Sequence, residues 1–143
     1  MRFLSAREYL ISIQHLDIQI DIKLAQARRW REIAERATTV MSLTKVEGGP
    51  DNGGRMGCIE RAIDAEREVD AMVDELVDKK REAQVALSNM AKHEERMVLE
   101  SRYLNGKEWK DIAKAMDYSE AHVYRLHNDA IVNFRVPVKD ESK

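Results

Sequence analysis

One cysteine, two prolines and the lack of any long apolar run set the first limits on this 143-residue sequence. With Cys58 alone, an intramolecular disulfide is impossible and a multi-cysteine zinc site is excluded. Six glycines and 6% aromatics are too few for the turns and aromatic strands of an all-β sandwich. No stretch approaches the roughly 18 apolar residues of a membrane helix, and no signal-peptide core follows Met1, so an intracellular protein without membrane contact is expected. Neither charge sign dominates: 24 Lys and Arg stand against 26 Asp and Glu, a net charge of −2. Nucleic acid would therefore have to be met by a local surface and not by bulk attraction. What is present, 43% hydrophobic and 35% charged residues, suits a packed and mostly helical chain.

Helical texture breaks in two places. Glu47 to Gly54 holds four of the six glycines and one proline, so residues 45–56 are expected to form a flexible connection. Asn105-Gly106 is a helix stop, and Pro137 is expected to end the last helix before a charged tail, 138–143. Ahead of the loop, Tyr9, Ile13, Leu16, Ile20, Leu24, Ala27, Trp30, Ala34, Ala37 and Met41 recur at steps of three and four, one stripe along a long helix. Ile59, Ala62, Ile63, Val69, Val73, Leu76, Ala83, Leu87 and Met90 form a second stripe after it. Glu66 and Lys80 interrupt that stripe, which points to a wet rim or to charges paired with the first helix. Two such helices are expected to fold as a long antiparallel hairpin over residues 1–91. A bare hairpin has little core, so it is also expected to self-associate into a homo-oligomer.

From Lys92 the elements shorten. Glu94–Leu104 has Met97, Val98, Tyr103 and Leu104 as apolar contacts, and Glu108–Met116 groups Trp109, Ile112, Ala113 and Met116. Ser119 to about Phe134 aligns Val123, Leu126, Ala130 and Ile131. Only Asp117 and Tyr118 lie between the last two helices. This is helix-turn-helix spacing over residues 92–137. Ile112 and Met116 face inward, Ala113 suits a close crossing, Asp117 tolerates a left-handed backbone, Tyr118 plugs the core, and Ser119 caps the second helix. The fold class expected is all-α.

The string from Met97 to Ala130, MVLESRYLNGKEWKDIAKAMDYSEAHVYRLHNDA, resembles region 4 of sigma-70 type factors and the LuxR-like regulators that share its helix-turn-helix. More narrowly, the whole chain is similar to small phage and prophage proteins of Gram-positive bacteria, related in outline to ArpU- and RinA-type late transcription regulators. The resemblance implies a phage-type DNA-binding regulator of transcription in the bacterial cytoplasm, with double-stranded DNA as partner and host RNA polymerase as a further candidate. In such a domain the exposed half of the second helix enters the major groove. Base contacts are then expected from Glu120, Ala121, His122, Tyr124, Arg125 and Asn128: Arg125 suits guanine, Asn128 adenine, and Glu120 the cytosine amino group. Arg102, Lys107, Trp109, Lys110, Lys114 and Ser119 are the expected phosphate contacts, Arg102 and Trp109 through the sigma-like pattern.

The sequence also departs from that pattern. Glu120, Ala121 and His122 replace the basic residues usual at the start of the recognition helix, and Glu108 stands where Ser or Thr often caps. Ten basic and ten acidic residues from Lys92 to Lys143 leave the segment neutral, so one copy should bind weakly and useful affinity should need several copies held together. Arg125 has an intrahelical alternative in Asp129. His122 and His127 read as surface histidines, and with His93 they form no convincing metal set, so no metal, cofactor or catalytic residue is expected. Two other functional readings fit the same pattern: a DNA-packaging accessory resembling a small terminase subunit, and a protein-interaction module binding RNA polymerase.

Overall fold

The computed structural model describes residues 4–44 and 52–138. Every regular element among them is helical: α1 (Ala6–Thr44), α2 (Asn52–Ser88), α3 (His93–Leu99) with a π-helical continuation (Glu100–Leu104), α4 (Trp109–Met116) and α5 (Glu120–Asn133). The fold is all-α. None of these helices is long and apolar enough to cross a membrane. The side chain of Met41, the stretch 45–51 and the tail from residue 139 lie outside the described residues.

The flexible connection expected over residues 45–56 is corrected at its end, because α2 already begins at Asn52 and carries Gly53, Gly54 and Gly57 as helix. Each helical glycine costs about 1 kcal/mol relative to alanine. The long amphipathic remainder of α2 outweighs that cost, since each residue added to an existing helix brings its own hydrogen bond. Gly57 has open space where a Cβ would sit. Gly57→Ala is therefore expected to raise stability by roughly 0.5–1 kcal/mol, read as a higher urea midpoint with unchanged slope. No gain would mean that this turn is not helical in solution.

Two compact units make up the chain: Met1–Leu16 with Leu76–Lys143, and Asp17–Glu75. In the second, Ile20, Ala27 and Ala34 of α1 and Ala62, Ala65 and Val69 of α2 are buried. Arg31 forks onto Glu66 at 2.6 and 3.0 Å, Lys23 meets Glu68 at 2.8 Å, and Arg61 lies 5.0 Å over the Trp30 ring. Glu66 thus interrupts the stripe because it pairs with a charge on the first helix. The hydrogen bonds from Arg31 also hold its carboxyl below the usual range. Ile63 and Val73, expected in the seam, are exposed, while Ala65 is buried. The seam runs through the seven-residue steps Ala62 and Val69 and is turned to the Ala65 side, which leaves Ile63 and Val73 on the flank.

In the other unit, Leu10, Ile13, Leu87, Leu99, Ile112, Val98 and Val123 are fully buried, each contributing on the order of 1.5–3 kcal/mol of transfer free energy. Leu10 was absent from the expected stripe. The stripe widens at this end of α1, where Tyr9 stacks on Phe134 at 6.0 Å and donates to Glu82 Oε1 at 2.7 Å. Burial and the bond to Glu82 push the Tyr9 phenol far above its ordinary pKa. Two further expectations need correction here. Met97 is exposed and Leu99 takes its place in the core. The last helix ends at Asn133, four residues before Pro137, because Phe134 turns to extended backbone as it stacks on Tyr9 and Asn133 donates to Glu95 at 2.8 Å.

Candidate nucleic-acid interface

The surface of interest is built on α5, which packs against both α3 and α4. Val98, Ile112, Ala113 and Val123 form the core between these helices, with Trp109, Met116, Tyr118 and Leu126 packed on its rim. The chain leaves α4 through Asp117, whose φ of 60° and ψ of 43° are left-handed. Tyr118 N–H donates back to the Ala113 carbonyl at 2.9 Å, closing the helix end. Tyr118 also donates from its hydroxyl to Glu94 Oε1 at 2.5 Å, which raises its pKa. Ser119 then opens α5, its Oγ accepting from the His122 amide at 3.1 Å.

With Val123 at the core, α5 turns Glu120, Ala121, Tyr124, Arg125 and Asn128 to solvent. His122 is half-buried, its ring edge-on to Tyr118 at 4.4 Å, so it is less available than its neighbours. Arg125 forms no ion pair or hydrogen bond with any described residue, Asp129 included. Lys107, Lys110 and Lys114 are exposed, and Lys110 approaches Glu108 at 3.7 Å in a wholly exposed pair of little energetic weight. Ser119 is exposed as well, with its oxygen engaged as the cap.

Arg102 and Trp109 are tied together. The Arg102 guanidinium lies 4.7 Å over the Trp109 ring and donates to the Lys107 carbonyl at 3.0 Å. Trp109 in turn meets the Tyr124 ring at 5.1 Å and the His127 ring edge-on at 4.8 Å. The π-helical turn makes this arrangement possible. Its wide bonding, Asn105 N–H to the Glu100 carbonyl at 3.1 Å, keeps Tyr103 buried on the same side as Val98 while Arg102 reaches out to Trp109. The reading of Glu94–Leu104 as a regular helix missed that turn; the signal lay in two adjacent buried pairs five residues apart, Val98-Leu99 and Tyr103-Leu104.

His127 is the clearest correction. It is a core residue and not a surface histidine, with Nε2 2.7 Å from the Tyr103 hydroxyl. Burial lowers its pKa, the charges of Arg7 and Arg102 lower it further, and the Asn128 side chain acts in the opposite sense. The Tyr103 phenol is pushed up by burial, against the pull of Arg7 and Arg102. A histidine depressed below its ordinary value of 6.5 binds its proton less readily folded than unfolded. Stability is therefore fully present above pH ~6.5, is lost as pH falls through that value, and stops falling below the folded pKa. Melting temperatures between pH 7.5 and 5 should decline more steeply in the wild type than in His127→Gln, which keeps a hydrogen-bonding group but cannot titrate. Parallel curves would remove His127 as the source. Among the described residues no group of three or more His, Cys, Asp or Glu is arranged to hold a metal ion.

A family model described as "Protein of unknown function (DUF1492)" matches residues 37–135. The chain belongs to the DUF1492 family. No curated protein matches the chain significantly, and no solved structure does. The DUF1492 span takes in α3, α4 and α5 and all twelve residues expected to meet DNA, from Arg102 to Asn128. Arg7 and Gln14 precede it.

Proposed function

We propose that this DUF1492 member is a DNA-binding transcriptional regulator of phage type, acting as an oligomer. Residues 92–137 serve as a sigma-70 region 4-like helix-turn-helix, and the long helices serve as an antiparallel hairpin that brings copies together. One observation carries the reading: α5, capped by Ser119 and seated through Val123, offers an exposed Arg125 with no partner among the described residues, flanked by exposed Ala121, Tyr124 and Asn128. That is the side-chain chemistry that reads base edges in the major groove. Exposed lysines at 107, 110 and 114 lie before and along α4, where a backbone-holding helix needs them. The hairpin is supported by its partners, since Lys23 with Glu68 and Trp30 with Arg61 pair rising numbers with falling ones.

The neutral charge of the C-terminal segment makes oligomerisation part of the reading, because two domains held together convert weak sites into useful affinity. The experiment is a selection from a random duplex library at about 100 mM salt, run in parallel with wild type and Arg125→Ala. A motif enriched by wild type and lost in the variant supports base readout, and its half-site spacing gives the oligomer. If neither protein enriches a sequence, the reading falls. A protein-binding module for RNA polymerase then takes its place, while a ring of eight or more copies would favour DNA packaging.

A further inference from the structure

Arg7, in the first turns of α1, carries no hydrogen bond or ion pair with a described residue and is exposed. It follows from the helical repeat that Arg7 and Gln14, seven residues apart, share one face of α1, separated by about 10 Å along the axis. Gln14 Nε2 donates to the Arg102 carbonyl at 3.1 Å, which fixes that face against the turn bearing Arg102 and Lys107. Leu10, between them on the helix, is completely buried and anchors the same stretch. The charges of Arg7 and Arg102 both act on the buried Tyr103–His127 pair.

We propose that Arg7 is a DNA-backbone contact supplied by α1, extending the phosphate-binding edge of Arg102 and Lys107 beyond the three C-terminal helices. The proposal rests on the DNA-binding reading above. It makes α1 part of the DNA-binding surface as well as a means of self-association. It also offsets part of the deficit left by the acidic start of α5, since each phosphate neutralised releases counterion and adds affinity independent of sequence.

The test is the salt dependence of binding to a labelled random-sequence duplex, measured with the full chain as wild type, Arg7→Gln, Arg7→Lys and Arg28→Gln. Arg28 is an exposed arginine of α1 whose replacement changes the net charge equally. Arg7→Gln is expected to lower the slope of log K against log salt by about 0.9 and to weaken binding roughly five- to tenfold at 0.1 M salt. Arg7→Lys should retain the wild-type slope and Arg28→Gln should match wild type. Circular dichroism of each variant checks the fold, and Arg7→Lys separates charge from structure should the glutamine variant be destabilised. If wild type binds and Arg7→Gln behaves as Arg28→Gln does, the Arg7 contact is overturned while DNA binding stands. If wild type binds no duplex even at low salt, the DNA reading fails and the Arg7 contact with it.

Discussion

Trp109→Ala is expected to cost about 2–3 kcal/mol of folding free energy, since the indole is half-buried on the rim of the core, and that is a large part of what a domain of this size possesses. The indole packs on the core of Val98, Ile112, Ala113 and Val123, and three further groups use its faces and edge. Arg102 covers it at 4.7 Å, Tyr124 meets it at 5.1 Å and His127 at 4.8 Å. Truncation leaves a cavity that a small three-helix core fills poorly, and it strips the Arg102 guanidinium of its aromatic platform. Urea unfolding followed by circular dichroism should show a much lower midpoint with the slope preserved. Trp109→Phe should recover more than half of the loss, because it keeps a ring against the core. A Trp109→Ala protein within about 1 kcal/mol of wild type would show that the indole is not packed as described. Since Tyr124 belongs to the exposed face of α5, Trp109→Phe should also bind duplex more weakly than its stability alone would dictate.

Arg125→Ala is expected to act in the opposite way, leaving the melting curve unchanged while removing sequence preference. The side chain is exposed and has no partner among the described residues, so its loss empties no cavity there and strands no charge. A bidentate arginine–guanine pair is worth about 1–3 kcal/mol of discrimination, or roughly five- to 150-fold at one base pair. In a symmetric oligomer the loss is paid at each half-site. Affinity for random duplex should fall only modestly, by the phosphate attraction of one charge. A variant that still enriches the wild-type motif would remove Arg125 from base readout. One that lost specific and random binding alike would make it a phosphate contact.

Much of the C-terminal half was legible in the linear sequence because its signals are local. Ile112 and Met116 sit four apart, Ala113 is buried with Val98, Ile112 and Val123, and Asp117 takes the left-handed turn. Ser119 caps α5 one residue before its first turn. The same local logic placed Arg125 and Asn128 outward once Val123 was inward. His127 escaped it, since a polar ring four residues from Val123 becomes a core residue only when Tyr103 arrives from a distant turn to satisfy its nitrogen. The glycine run misled in a related way: Gly53 and Gly54 are poor helix formers one by one, yet they belong to a helix supported by residues far downstream.

Sequence alone therefore determined the all-helical class, the two long helices, the break at Asn105-Gly106 and the spacing of α4 and α5, because period, cap and turn chemistry act within a few residues. Tertiary structure decided what depends on partners remote in the chain. It widened the helix at Glu100–Leu104 into a π turn, buried His127 against Tyr103, laid Arg102 on Trp109, and ended α5 at Asn133 so that Phe134 could stack on Tyr9. Each of these is a choice between local alternatives of similar energy, and long-range burial and hydrogen bonding tip the balance.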